Sequence, residues 1–236
     1  MNSLNSSGSR RGFLINSGAL LGLAALGSSL NLAGCSPIEK KTSEVTATED
    51  LMREHGVLQR LLLIYDDLEG KLRQGLEFPR RVLTESTDLM RRFIEDYHER
   101  LEENYVFPRF EEAGKMVELV KILRRQHQAG REITAFLLSH AASSGDLVGR
   151  LKAAEYIQAF SRMYRPHAAR EDTVLFPALR SVVSPGNFNE MGDKFEELEV
   201  AKFGPGGFEK IVAQVAGLEK VLGLENLSQF TPQLQP

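Results

Sequence analysis

Two stretches of this chain repeat one pattern. YHERLEENYVFPRF (97–110) and PHAAREDTVLFPAL (166–179) each read histidine, three residues, glutamate, an acidic residue, then an apolar run ending in Phe-Pro. His98 precedes Glu102 and His167 precedes Glu171. On a helix, residues four apart share a face, with Cβ atoms about 5–6 Å apart, so both side chains of each pair can reach one ion. Two further histidines, His55 and His127, precede the pairs. Four of the five histidines thus form a doubled arrangement. His98 and His167 are 69 positions apart (167 − 98), too far for a solenoid period. The doubling predicts two related helical hairpins.

The segments between these residues read as helices. Thr48-Glu49-Asp50 is expected to cap the first, with acidic residues in its first turn. Leu51, Leu58, Leu61, Leu62, Tyr65 and Leu68 then follow at helical spacing. Pro79 suits the first turn of a second helix, whose apolar stripe includes Val82, Leu83, Leu89, Phe93, Ile94, Tyr97 and Leu101. Pro108 is expected to end or kink it, and Gly114 marks a turn. A third helix is expected over about 115–142, and Ser143–Asp146 reads as a break. A fourth is expected over about 147–176, kinked at Pro166. Strand signals are absent. The expectation is therefore all-α: an up-down-up-down four-helix bundle over 48–180. Phe188, Met191, Phe195 and Leu198, then Phe208, Ile211, Val212, Val215 and Leu222, predict two short amphipathic helices in 181–236, packed on the bundle.

Register tests the site. In an antiparallel hairpin, residues equidistant from the turn lie level. Midway between His55 and His98 is the Gln74–Phe78 segment. Midway between Glu102 and His127 is Gly114, and midway between His127 and His167 is Leu147. All three connections bring His55, His98, Glu102, His127, His167 and Glu171 to one height. Four imidazoles and two carboxylates suit iron, with manganese or zinc as alternatives. Two ions could each take two histidines and share the glutamates. Glu99 is a candidate auxiliary ligand, His140 fits no slot, and Glu103 and Asp172 read as solvated neighbours.

Residues 1–34 read as an export signal. Arg10-Arg11 resembles a twin-arginine motif, an uncharged apolar stretch follows, and Leu32-Ala33-Gly34-Cys35 resembles a bacterial lipobox. The resemblance implies lipidation at Cys35, a polar tether over 35–47, and a periplasmic or cell-envelope lipoprotein held at the membrane. Cys35 is the only cysteine, so an intrachain disulfide is excluded. Removing 1–34 removes two of 29 basic residues and none of the 32 acidic ones, leaving 27 − 32 = −5. With no Lys/Arg-rich run, nucleic acid is not an expected partner.

MREHG (52–56), YHERLEENYVFP (97–108), RRQH (124–127) and RPHAAREDTVLFP (165–177), together with the tail FGPGGFEKIVAQVAGLEKVLGLENLSQFTP, resemble the hemerythrin-like HHE cation-binding family. The resemblance implies a four-helix bundle around a non-haem di-iron centre that binds O2 or a related molecule such as NO or peroxide. It assigns the metal to the same six residues. One departure stands out: oxygen-carrying hemerythrins have another histidine four residues after the third-helix ligand, and here that position is Arg131. The expected role is small-molecule binding in sensing, storage or redox chemistry. A di-iron enzyme (peroxidase, ferroxidase or NO-reducing) and a metal-free structural bundle are the alternatives.

Overall fold

A computed structural model describes residues 45–140 and 147–233. The export motif, the lipidation cysteine and the Ser143–Asp146 break lie outside the described residues. Among the described residues there is no strand. Six helices account for the fold.

Helix α1 (Ala47–Gln74) is capped two residues earlier than expected. Thr46, not Thr48, caps it: the Thr46 hydroxyl accepts from Glu49 N, while the Glu49 carboxylate accepts from Thr46 N at 2.8 Å. This reciprocal pair satisfies two backbone donors that the helix cannot. At the other end Gly75 adopts φ 67°, a left-handed conformation that closes the helix without a Cβ penalty. Leu51, Leu58, Leu61, Leu62, Tyr65 and Leu68 are all buried.

Helix α2 spans 80–112 as one rod, but not as one uniform helix. It is α-helical over Arg80–Leu89, π-helical over Met90–His98, α-helical over Glu99–Leu101, π-helical over Glu102–Val106 and α-helical again over Phe107–Glu112. Helix α3 is Val117–His140. Helix α4 spans 147–179: α-helical Leu147–Arg170, π-helical Glu171–Leu175, α-helical Phe176–Leu179.

Of the end or kink expected at Pro108, no end is observed, and the fourth helix likewise runs on past 176 through Pro177. Proline lacks an N–H and its ring collides with the carbonyl one turn back. Here a wide turn precedes each proline. Phe107 N–H donates to the Glu102 carbonyl and Phe176 N–H to the Glu171 carbonyl, five residues back in both cases. The helix continues past the obstacle. The Glu103 carbonyl, five before Pro108, accepts instead from the Arg124 guanidinium at 3.3 Å. Both wide turns begin at a candidate ligand, Glu102 or Glu171, a frequent setting for such insertions. Pro166 sits within the α-helical part of α4 without ending it.

Helices α5 (Pro185–Phe203) and α6 (Gly207–Leu222) pack over α1, and α6 also over α2. Phe188, Phe195, Ile211, Val215 and Leu218 are buried there. A bidentate Arg60–Glu219 pair, at 2.8 and 2.5 Å, ties α6 to α1. The remaining core runs through the bundle, where Phe93, Phe107, Phe110, Phe160 and Phe176 are buried. Each such side chain contributes about 1.5–3 kcal/mol on leaving water.

Candidate metal centre

The bundle brings all six candidate residues into one buried pocket. None is more than 4% exposed. The first hairpin supplies His55 from α1 with His98 and Glu102 from α2. The second supplies His127 from α3 with His167 and Glu171 from α4. Ring centroids of His55 and His98 are 4.6 Å apart, and those of His127 and His167 are 4.9 Å apart. The two carboxylates lie between these pairs. Glu171 Oε2 is 3.1 Å from His167 Nε2 and 3.4 Å from His55 Nε2. Glu102 is 3.4 Å from His127 Nε2 and 3.6 Å from His98 Nε2. Glu102, His127, His167 and Glu171 offer donor atoms within 4.8 Å of one another, and so do His55, His98 and Glu102.

Each imidazole turns Nε2 inward and gives Nδ1 to a partner outside the pocket. His55 Nδ1 donates to Asp172 at 2.7 Å, His98 Nδ1 to Glu54 at 2.8 Å, His127 Nδ1 to Glu103 at 3.1 Å and His167 Nδ1 to the Gln126 carbonyl at 2.9 Å. A carboxylate can only accept, so it fixes the proton on Nδ1 and leaves Nε2 as the lone-pair face. His127 Nε2 and His167 Nε2 stand 3.2 Å apart, lone pair against lone pair. All four oxygens of Glu102 and Glu171 are buried without a hydrogen bond. Buried polar atoms are normally satisfied. Two orphaned carboxylates ringed by four imidazole Nε2 atoms are a donor set that cations complete.

The comparisons with known proteins bear on the same segment. The hemerythrin HHE cation-binding domain model matches residues 46–179, and matches again over 118–202. The chain belongs to the hemerythrin HHE cation-binding family. The second match begins at the head of α3, as the repeated hairpin pattern would produce. Uncharacterised proteins of Mycobacterium tuberculosis and Mycobacterium bovis are each 50% identical to it over 190 residues, 80% of this chain and 74% of theirs. No solved structure matches it.

Charge in this hemerythrin-type pocket is divided unevenly. Burial opposes protonation of His55, but Asp172 and Glu171 outweigh it and raise the ring to about 9. Without a metal, a proton on Nε2 therefore stands in for the cation. Burial holds His127 down at about 4. Burial, reinforced by Glu171, pushes Glu102 up, while His167 and His55 hold Glu171 down against its own burial. Two adjacent carboxylates cannot both ionise cheaply in a dry site.

Several expectations are revised. Glu103 and Asp172 are not merely solvated neighbours: each orients a histidine of the opposite hairpin. Glu99 is placed behind His127, 4.0 Å from its Nδ1, rather than on the Nε2 side. Its carboxylate accepts from the Arg131 guanidinium at 2.6 Å and the Tyr164 hydroxyl at 2.5 Å. Burial, opposed by Arg131, raises Glu99 to about 8. Arg131 also bonds Glu103 at 2.7 Å, so this half-buried guanidinium pairs with acidic neighbours and does not reach the Nε2 side. His140 is exposed and bonds the Phe136 carbonyl, away from the pocket. Sequence reasoning missed Glu54 and Gln126, though a signal was present. Each directly precedes the first histidine of its hairpin.

Proposed function

We propose that this chain is a non-haem di-iron protein that binds O2 or a related small molecule such as NO or peroxide, in a sensing, storage or redox role. The observation that carries this reading is the pair of buried, hydrogen-bond-free carboxylates between two histidine pairs. One iron would be held by His55 and His98, the other by His127 and His167, with Glu102 and Glu171 shared. An all N/O donor set suits iron, and the site has no cysteine to favour zinc or copper(I). Bound iron would supply the electrons and the open coordination positions. The residues supply the rest: the outer carboxylates orient the rings, and Phe107 and Phe176, stacked on His127 and His55 with centroids 5.5 Å away, exclude water.

The state of Arg131 favours redox or sensing chemistry over simple oxygen carriage. A guanidinium cannot ligate iron, and this one is committed to Glu99 and Glu103. The pocket has one imidazole fewer than the oxygen carriers that the family resemblance invokes. The test is metal analysis followed by stopped-flow spectra of the reduced protein mixed with O2 or NO. Close to two irons per chain, rapid oxidation and an NO adduct are expected. Folded, reconstituted protein that binds no transition metal would refute the di-iron reading. A long-lived, reversible O2 adduct would instead assign storage or transport.

For the location we infer export on the Arg10-Arg11 signal and lipid attachment at Cys35, giving a periplasmic or cell-envelope lipoprotein. Support comes from those sequence motifs alone. Arg10→Lys with Arg11→Lys should trap precursor inside the cell, and Cys35→Ala should abolish lipid labelling. A wild-type chain that never takes up labelled lipid would end the anchor reading.

A further inference from the structure

Helix α3 carries a buried glycine, Gly130, one turn from His127. A glycine inside a helix is destabilising relative to alanine, so a packing reason is expected. The reason is Tyr164: a Cβ at position 130 would lie 2.1 Å from its hydroxyl oxygen. The missing side chain lets the phenol pass α3 and reach Glu99, to which it donates at 2.5 Å. Arg131, the next residue along, holds the other Glu99 oxygen at 2.6 Å. Tyr164 is 1% exposed. Its ring centroid lies 5.2 Å from that of His167 and 4.3 Å from that of Phe160. A phenol in hydrogen-bond contact with a buried carboxylate, and in ring contact with a metal-facing imidazole, has separate exits for its proton and its electron.

We propose that Tyr164 is a redox-active residue that donates one electron to the metal pocket through His167 while its phenolic proton passes to Glu99. The inference rests on the di-iron reading. The oxidant is a peroxide, which takes up two electrons and two solvent protons and becomes two waters. Half-reduced bound iron would supply one of these electrons, and Tyr164 would supply the other. The O–H bond of Tyr164 would break, Glu99 would gain the proton, and a neutral tyrosyl radical would remain on Tyr164. Burial against Phe160 keeps water and reductants from the radical. Gly130 and Arg131 are positioning residues, the first by leaving room and the second by aiming the carboxylate.

The test is freeze-quench electron paramagnetic resonance, at pH 9 so that Glu99 is ionised, of iron-loaded, half-reduced full chain mixed with hydrogen peroxide. Iron content is measured in every sample. A radical signal whose hyperfine pattern changes in protein grown on ring-deuterated tyrosine is expected. Tyr164→Phe should lose it at unchanged iron content and melting temperature, while Tyr65→Phe keeps it. Gly130→Ala, which displaces the phenol, should lower the yield several-fold, and so should Glu99→Gln, which cannot accept the proton. These two variants decide the matter if Tyr164→Phe folds poorly. Iron-replete wild type without a tyrosyl signal overturns the proposal and leaves the di-iron reading standing, as does a signal that survives Tyr164→Phe. Wild type that takes up no iron overturns the di-iron reading, and the proposal with it.

Discussion

The two hairpins are built to one plan and differ in the group that backs the second histidine of each, a carboxylate in the first and an amide in the second. In each, the residue just before the first histidine holds the second histidine of the same hairpin: Glu54 holds His98, and Gln126 holds His167. In each, the acidic residue just after the glutamate crosses to the other hairpin: Glu103 holds His127, and Asp172 holds His55. The pair His55/His98 is therefore backed by two carboxylates. The pair His127/His167 is backed by one carboxylate, which Arg131 also engages, and by a neutral amide. A carboxylate behind an imidazole makes the ring a stronger donor. The near-repeat of sequence thus yields two inequivalent positions, with the first hairpin the stronger electron donor.

The largest effect should come from destroying what the hairpins share. Glu102→Ala or Glu171→Ala removes a carboxylate within reach of both histidine pairs, so metal analysis should register loss at both positions. His98→Ala should lose the first-hairpin metal and retain the other. Thermal stability should fall with the metal, because a ligand held a thousandfold above its dissociation constant adds about 4 kcal/mol. Retention of both metals after loss of either glutamate would dissolve the shared-carboxylate picture.

Exchanging the Glu54 and Gln126 side chains sharpens the comparison. Glu54→Gln should weaken metal binding at the first hairpin by about 10- to 100-fold, the usual cost of losing an outer-sphere partner. Gln126→Glu should strengthen binding at the second. Competition with a chelator, followed by stepwise metal release, measures both. If the order of release does not respond to either change, the asymmetry has no energetic meaning.

Arg131→His should have a subtler effect. It frees Glu99 and Glu103 from the guanidinium and offers the imidazole that oxygen carriers have. The expected result is a longer-lived O2 adduct in stopped-flow spectra of the reduced protein. An unchanged lifetime would mean that this position does not set the reactivity.

The smallest effect is a proton count. His55 is raised to about 9 in the metal-free pocket, above its ordinary value of 6.5. It therefore stabilises the metal-free fold fully below 6.5, and this contribution fades as pH rises through 9. A metal needs the neutral ring, so at neutral pH its binding must expel this proton. Apparent affinity at the first hairpin should climb by about tenfold per pH unit for that one proton and level off above about 9. Calorimetry in buffers of different ionisation enthalpy counts the released proton.

Spacing alone determined a good deal. The apolar stripes gave the helices, and the histidines and glutamates could be placed at one height because rise per residue along a helix is fixed. That is why His55, His98, Glu102, His127, His167 and Glu171 were legible before any coordinates. What spacing does not carry is rotation about the helix axis and reach across it. Phe-Pro read as a helix end or kink, because local chemistry forbids an ordinary turn there. Only packing decides that a wide turn lets the helix run on, and that Arg124 answers the Glu103 carbonyl. Glu103 and Asp172 looked like solvated neighbours because acidic residues beside a ligand usually are. Their histidines lie on the opposite hairpin, a contact between residues far apart in the chain. Arg131 and Gly130 are the same case. Their partners, Glu99 and Tyr164, come from α2 and α4, and a charge or a gap on α3 acquires its meaning only when three helices close on it.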